Sequence, residues 1–296
     1  MRYWLILWLW AGLAPLALAE IELDDALGRK LVLDRPATRV VSLAPHMTEV
    51  AFAAGAGQQL VGAVTYSDYP EAAKAIPRVG SYDNVSYETL VALNPDLVLA
   101  WRSGNGDEII ARLESLGLKV YVDEPKTLED VARSLREVGR LTGNEKTADL
   151  AAQAFMQQLS QLRETYSAQQ QVSVYYQIWD EPLLTLNGDH LISDVVRLCG
   201  GRNVFADAMP LVSRISVESV IRADPQVIIA SGMDKARPEW LDAWRKWTSM
   251  TAVRNEQLYF VPPDVLQRNS PRIIDGAALL CEQLQKARTH YATAGK

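Results

Sequence analysis

The sequence predicts an α/β fold of two similar Rossmann-like lobes joined by one long interdomain helix, and three observations carry this expectation. The first is an internal repeat. VSYETLVALNPDLVLA at residues 85–100 aligns without a gap to ISVESVIRADPQVIIA at 215–230, an offset of 130. Ser86/Ser216, Glu88/Glu218, Pro95/Pro225 and Ala100/Ala230 are identical, and the apolar positions between them keep one pattern. Ser is a good helix N-cap, Glu in the first turn complements the helix dipole, and Pro ends the helix before a buried strand. The second observation is the alternation of strand-like and helix-like segments, which points to mainly parallel sheets. The third is a run over 144–167 that contains no Gly or Pro and carries Leu150, Ala154, Leu159 and Leu162 among its apolar positions. As a helix it would be about 36 Å long. Its place between the repeats suits a tether between the lobes as well as a packing helix of the first.

In the first lobe, residues 40–43 have the composition of a buried strand and 48–54 begin a helix that Gly55 and Gly57 stop. A short strand over 60–64 runs into a loop carrying Tyr66, Asp68 and Tyr69 before Pro70, and the strand at 97–101 leads into the polar stretch 102–106. A helix is expected over 127–141. The second lobe restarts with a strand over 172–178 that delivers Trp179 and Asp180 to its end; a helix through 195–199 stops at Gly200 and Gly201. After the second repeat come a Trp-bearing helix, a strand over 257–261, the loop PPDVLQRN at 262–269 and a last helix begun by Ser270 and Pro271. The expected division is 1–19 leader, 20–142 first lobe, 143–170 interdomain helix and 171–296 second lobe. Ligands of such sheets sit beyond the carboxyl ends of the strands, in the cleft between lobes.

Residues 1–19 read as a secretory signal, with Arg2, an apolar run and Ala17-Leu18-Ala19 before Glu20. The apolar run is short for a membrane span, and no Cys follows the cleavage site to take a lipid, so a soluble periplasmic protein is expected. Removing Arg2 takes the formal charge from −6 to −7. An acidic chain without a basic run argues against nucleic acid as a partner. Cys199 and Cys281 are the only cysteines. In an oxidising compartment an even number favours one disulfide, with two buried thiols as the alternative.

Enzyme signatures are scarce: the sequence has no GxGxxG, P-loop, GxSxG or HExxH. His46, His190 and His290 are the only histidines and none has a metal-ligand partner at helical or turn spacing, so no metal site is assigned. His46, in the loop after the first strand, could face the cleft as a ligand, or serve as a polar loop residue or helix cap. Tyr66, Tyr82, Trp101 and Trp179 follow or lie near strands of both lobes. Together they suit a platform for a large flat or apolar ligand, although any one could pack beneath a loop. Trp240, Trp244 and Trp247 recur at helical spacing and read as one packed helix face. Glu88 and Glu218 serve helix electrostatics, and as a repeat-related pair they also suit docking on a two-fold symmetric basic partner.

With RVVSLAPHMTEVAFAAG, YSDYP, ETLVALNPDLVLAWRSGN, CGGRNVF and SPRI in view, the chain resembles the periplasmic cobalamin-binding proteins of vitamin importers over about residues 38–288. These are helical-backbone (class III) members of the ABC-transporter substrate-binding proteins. The resemblance implies two α/β lobes joined by one helix, no catalysis, and a corrinoid in the cleft that is delivered by a monomeric receptor to a permease dimer with ATPase subunits. By position, Tyr66 and Trp101 match ligand-contacting aromatics, and Asp264, Val265, Leu266, Gln267 and Arg268 match a ligand-contacting loop in which Asp264 and Arg268 would reach the amide edge. Glu88 and Glu218 match the glutamates that engage permease arginines, and Cys199 and Cys281 the family disulfide. The departures are Tyr82 and Val212 where tryptophan is expected, Val265 and Leu266 in place of an aromatic pair, and Trp179 in place of a small residue. They leave the preferred corrinoid open. Haem or a ferric siderophore, with Tyr66 or His46 on the iron, is the alternative cargo.

Overall fold

The computed structural model describes residues 20–232 and 237–294; the leader expected over 1–19 lies outside them. An antiparallel ribbon, β1 (Ile21–Asp24) and β2 (Lys30–Leu33), precedes a parallel sheet of β3 (Val40–Ser42), β4 (Leu60–Ala63), β5 (Leu97–Trp101) and β6 (Val120–Asp123) in the order β4-β3-β5-β6. Its helices are α1 (Pro45–Ala53), α2 (Tyr87–Ala92), α3 (Arg102–Ser115) and α4 (Leu128–Thr142). The chain crosses once, through α5 (Glu145–Tyr166), to the second unit. There β7 (Val172–Gln177), β8 (Trp179–Asp180), β9 (Leu183–Leu186), α6 (Leu191–Leu198), β10 (Gly201–Asn203), β11 (Val212–Arg214), α7 (Val217–Ala223) and β12 (Val227–Ala230) follow. The chain ends with α8 (Thr251–Arg254), β13 (Leu258–Phe260), α9 (Pro263–Leu266) and α10 (Ile273–Ala294). The second parallel sheet has the order β10-β7-β12-β13, the counterpart of the first, and β11-β9-β8 form a separate antiparallel sheet.

The repeat folds as its sequence requires. The Ser86 hydroxyl accepts from the Thr89 N–H and the Ser216 hydroxyl from the Ser219 N–H, so each copy caps its own helix. Asn94 (φ 45°) and Asp224 (φ 38°) take the left-handed conformation that these two residue types tolerate, and each precedes its proline. The next residue then ties the sheet together. Asp96 accepts from the Thr38 and Arg39 N–H groups just before β3, and Gln226 accepts from the Ser173 N–H in β7.

Side chains alternate across both sheets with the strand period of two. Val40, Leu97 and Leu99 enter a central core with Phe155 and Leu159 of α5 and Val174, Tyr176 and Ile229 of the second sheet. Val41 and Val98 face a second cluster, and Tyr175 and Ile228 a third. One apolar core is therefore shared by both lobes through α5. At α4, the leading N–H of Leu128 donates to Asp194 of α6 at 2.9 Å, a helix cap supplied across the lobes. Cys199 and Cys281 are disulfide-bonded and pin α6 to α10.

Local structure departs from expectation at four places. Helix α1 begins at Pro45, whose missing N–H costs nothing at a first-turn position, so His46 is helical. The stretch 102–106 is a helical turn that breaks at Gly106 (φ 77°) before α3 continues, and α9 interrupts the expected loop 262–269. The Trp-bearing segment Glu239–Lys246 is a 3₁₀ helix, with Trp244 buried edge-on against Tyr175 at 5.7 Å.

Asp123, at the end of β6, is fully buried and accepts from the Ser134 hydroxyl at 2.8 Å; its other carboxylate oxygen has no partner among the described residues. Burial pushes its pKa up to about 7, against the Ser134 hydrogen bond and the Arg133 charge. The native state thus holds this proton more tightly than the unfolded chain, and the fold loses stability as pH rises from the ordinary carboxyl range to about 7. Asp123→Asn should therefore raise the melting temperature at pH 8 and leave it nearly unchanged at pH 4; an equal shift at both would remove the buried charge as the cause.

Candidate ligand-binding cleft

Residues that follow the carboxyl ends of β5 and β6 meet residues of the second lobe around two connected spaces. The inner one, about 140 Å³, is bounded by Trp101, Ser103 and Glu124 on one side and by His190, Leu211, Val212 and Asn269 on the other. The outer one, about 510 Å³, opens beside Arg102, Lys126, Asp189 and Met209. Both lobes line one cleft at the switch-point end of the sheets.

Trp101 is placed by a buried asparagine. Asn105 accepts from the Trp101 N–H at 2.6 Å and donates to the Leu43 and Tyr82 carbonyls, so one amide joins the segments that carry the aromatic wall. A Cβ at residue 104 would come within 2.0 Å of the Trp101 ring, which explains Gly104. The Trp101 ring meets Tyr82 at 6.2 Å and the edge of His46 at 5.1 Å. Tyr82 is partly exposed, whereas Tyr66 is 72% exposed and held at φ 63°. The left-handed region is uncommon for a bulky residue, and the next residue, Ser67, is fully buried and bonded to Thr48 and Arg78. His46 is 4% exposed; burial and the nearby Arg268 charge push its pKa down to about 3, so the ring is neutral at ordinary pH. Among the described residues no group of His, Cys, Asp and Glu is placed to hold a metal ion.

The lobes are fastened at this cleft by a buried ion cluster. Glu49 of α1, its side chain 2% exposed, accepts from Arg268 at 2.8 Å, from Arg272 through two bonds of 3.0 Å, and from the Ser270 hydroxyl at 2.6 Å. Arg268 also bonds Asp68 at 2.7 Å and Asp264 at 3.2 Å. The Arg272 guanidinium donates to the Asp264 carbonyl and lies 3.9 Å over the Tyr69 ring. Desolvation works against the Arg268 charge, and its carboxylate partners outweigh it, leaving the guanidinium pKa raised.

Of the expected site residues, the structure brings Tyr82 to Trp101 and puts Arg268 and Asp264 into the cross-lobe cluster. Tyr66 stands exposed in the loop that also carries Asp68. Leu266 is fully buried in the shared core, Val265 packs against that core, and Gln267 donates to the Ser231 carbonyl. Trp179, in β8, donates its indole N–H to the Glu181 carbonyl and lines neither of the two spaces. Glu88 and Glu218 are exposed in the first turns of α2 and α7. Sequence reasoning missed Glu49, Arg272, Asn105, His190 and Asn269. Glu49 was findable, because a lone acid inside the apolar run TEVAFAA must be buried and hence paired.

Residues 40–265 match the family of periplasmic binding proteins. The chain belongs to that family. It is 37% identical over 254 residues to the Vitamin B12-binding protein of Vibrio cholerae, covering 86% of this chain and 91% of that one. It is 36% identical over 282 residues to the Vitamin B12-binding protein of Yersinia pseudotuberculosis, covering 95% and 98%. The crystal structure of the periplasmic vitamin B12 binding protein BtuF of Vibrio cholerae superposes with a TM-score of 0.79, covering 86% of this chain and 98% of that one. The periplasmic heme-binding protein RhuT from Roseiflexus, at 23% identity, TM-score 0.74 and coverage of 85% and 99%, shares the fold. This is the class III binding-protein fold. No helix among the described residues is long and apolar enough to cross a membrane.

Removing Glu49 would take from Arg268 and Arg272 the carboxylate they share and leave Asp68 and Asp264 to offset both charges. Glu49→Ala should therefore destabilise the protein by about 3–5 kcal/mol in urea unfolding, the usual cost of breaking a buried pair; a loss near zero would show that the cluster is solvated.

Proposed function

We propose that this periplasmic binding protein captures cobalamin or a closely related corrinoid in the interlobe cleft and hands it to an ABC permease dimer with its ATPase subunits. The observation that carries the reading is the Trp101–Tyr82 ring pair, with Trp101 lining the cleft, in a chain 37% identical to a vitamin B12-binding protein; Tyr66 joins these rings on the ligand in this reading. A corrin ring offers broad apolar faces and a rim of amides, which suits rings set among polar groups. Trp179, Asp264, Val265, Gln267 and Arg268 border the same ligand in this reading, with Asp264 and Arg268 fixed by their ion pairs and Leu266 turned into the core. Catalysis forms no part of this reading. The receptor acts as a monomer, is exported by a cleaved leader over residues 1–19 and carries no lipid. Glu88 and Glu218, equivalent by the repeat and exposed on short capped helices, dock the two lobes on arginines of the permease.

Calorimetry of the mature chain should show one-to-one binding of cyanocobalamin, and Trp101→Ala should weaken it about 30-fold or more, as expected for a buried aromatic anchor. Binding of haem but not of cyanocobalamin would overturn the corrinoid assignment. Charge reversal by Glu88→Lys with Glu218→Lys should leave calorimetric affinity unchanged and abolish vitamin-dependent stimulation of the transporter ATPase; retained stimulation would end the docking role.

A further inference from the structure

The inner space beside Trp101 contains two polar groups of the second lobe that the fold itself leaves unused. His190 is the N-cap of α6, and its Nδ1 accepts from the Ile192 backbone N–H at 3.1 Å. A ring nitrogen that accepts carries no proton, so the neutral imidazole bears its hydrogen on Nε2. Burial keeps the ring neutral by pushing its pKa down to about 4. The helix cap thereby fixes Nε2–H as a donor, and no described residue accepts from it. Asn269 is 6% exposed, follows Arg268 in the fastened loop, and its side-chain amide has no partner among the described residues.

The charges around this space select what can enter. Glu124 and Asp189 line it against the single cation Lys126, and the Glu124 carboxylate is already held by the N–H and hydroxyl of Ser103. An entering carboxylate would meet two like charges and an uncharged imidazole, with loss of its own hydration. A primary amide meets a donor for its carbonyl at His190, acceptors for its NH₂ at the acids, and either at Asn269. We infer that this space is a subsite for an uncharged primary carboxamide of the ligand, with His190 as the hydrogen-bond donor and Asn269 beside it. The inference rests on the corrinoid reading and adds a specificity to it. The protein distinguishes a macrocycle rimmed by amides from one that carries carboxylates, through a neutral donor set beside two acids.

The test is calorimetry of the whole mature protein with cyanocobalamin and with its b-, d- and e-monocarboxylic acids, in each of which one amide has become a carboxylate. Wild-type protein should bind at least one acid about tenfold or more weakly than the parent. His190→Ser keeps a good cap for α6 but withdraws the donor. It should weaken cyanocobalamin about tenfold, while that acid stays weaker than the parent because Glu124 and Asp189 still line the space. Asn269→Leu, which leaves the cap untouched, should weaken cyanocobalamin in the same direction and keeps the test open should His190→Ser fold poorly. Equal binding of all three acids and the parent, or unchanged cyanocobalamin affinity in folded variants, would overturn the subsite while leaving the corrinoid reading in place. Failure of wild-type protein to bind cyanocobalamin would overturn both.

Discussion

The Glu49 carboxylate, buried and shared between Arg268 and Arg272, is the contact on which the geometry of the cleft depends. Burying a carboxylate is costly, and the cost is met only where donors arrive from a fixed direction. Here they come from the other lobe. The requirement that Glu49 be neutralised therefore sets where α1 stands relative to the loop between α9 and α10. Arg268 extends the constraint to Asp68, in the loop that carries Tyr66, and Arg272 extends it to the ring of Tyr69. Aromatic residues of the first lobe are thus positioned by cations of the second.

Two other fastenings act in the same sense. The central core runs without interruption from the first sheet through α5 to the second, so opening the lobes would expose apolar surface. Asp194 of α6 supplies the cap that α4 lacks at its own leading N–H. A helical tether, a shared core and a buried ion cluster together resist the hinge bending that a flexible crossover would permit. The cleft is better described as a preformed slot, in which a ligand would require little reorganisation. Fixed lobes also fix the separation of Glu88 and Glu218, which is what docking on a symmetric partner would require.

Much of this architecture was legible in the sequence because it repeats. The capped helix, the proline turn and the buried strand are local features, and their recurrence at residues 85–100 and 215–230 told of two equivalent sheets before any tertiary contact was known. Helix α5 was visible from its length and its lack of Gly and Pro. Trp101 was visible as an aromatic at a strand end. The polar framework was not, since Glu49 with Arg272, Trp101 with Asn105 and His190 with Ile192 are pairings defined by the fold, and nothing in periodicity marks which acid will meet which base. Leu266 shows the opposite error: its place in a contact loop by resemblance suggested the cleft, whereas α9 turns its side chain into the core.

The rigidity of the slot is open to one direct measurement. Nitroxide labels attached at Glu88→Cys and Glu218→Cys, one in each lobe and with the native disulfide kept intact, report the interlobe distance by pulsed electron resonance. A single narrow distribution that moves by less than about 2 Å when cyanocobalamin is added is the expected result. A broad distribution in the free protein, or a larger shift on binding, would contradict the conclusion that the Glu49 cluster and the shared core hold the cleft in its binding geometry.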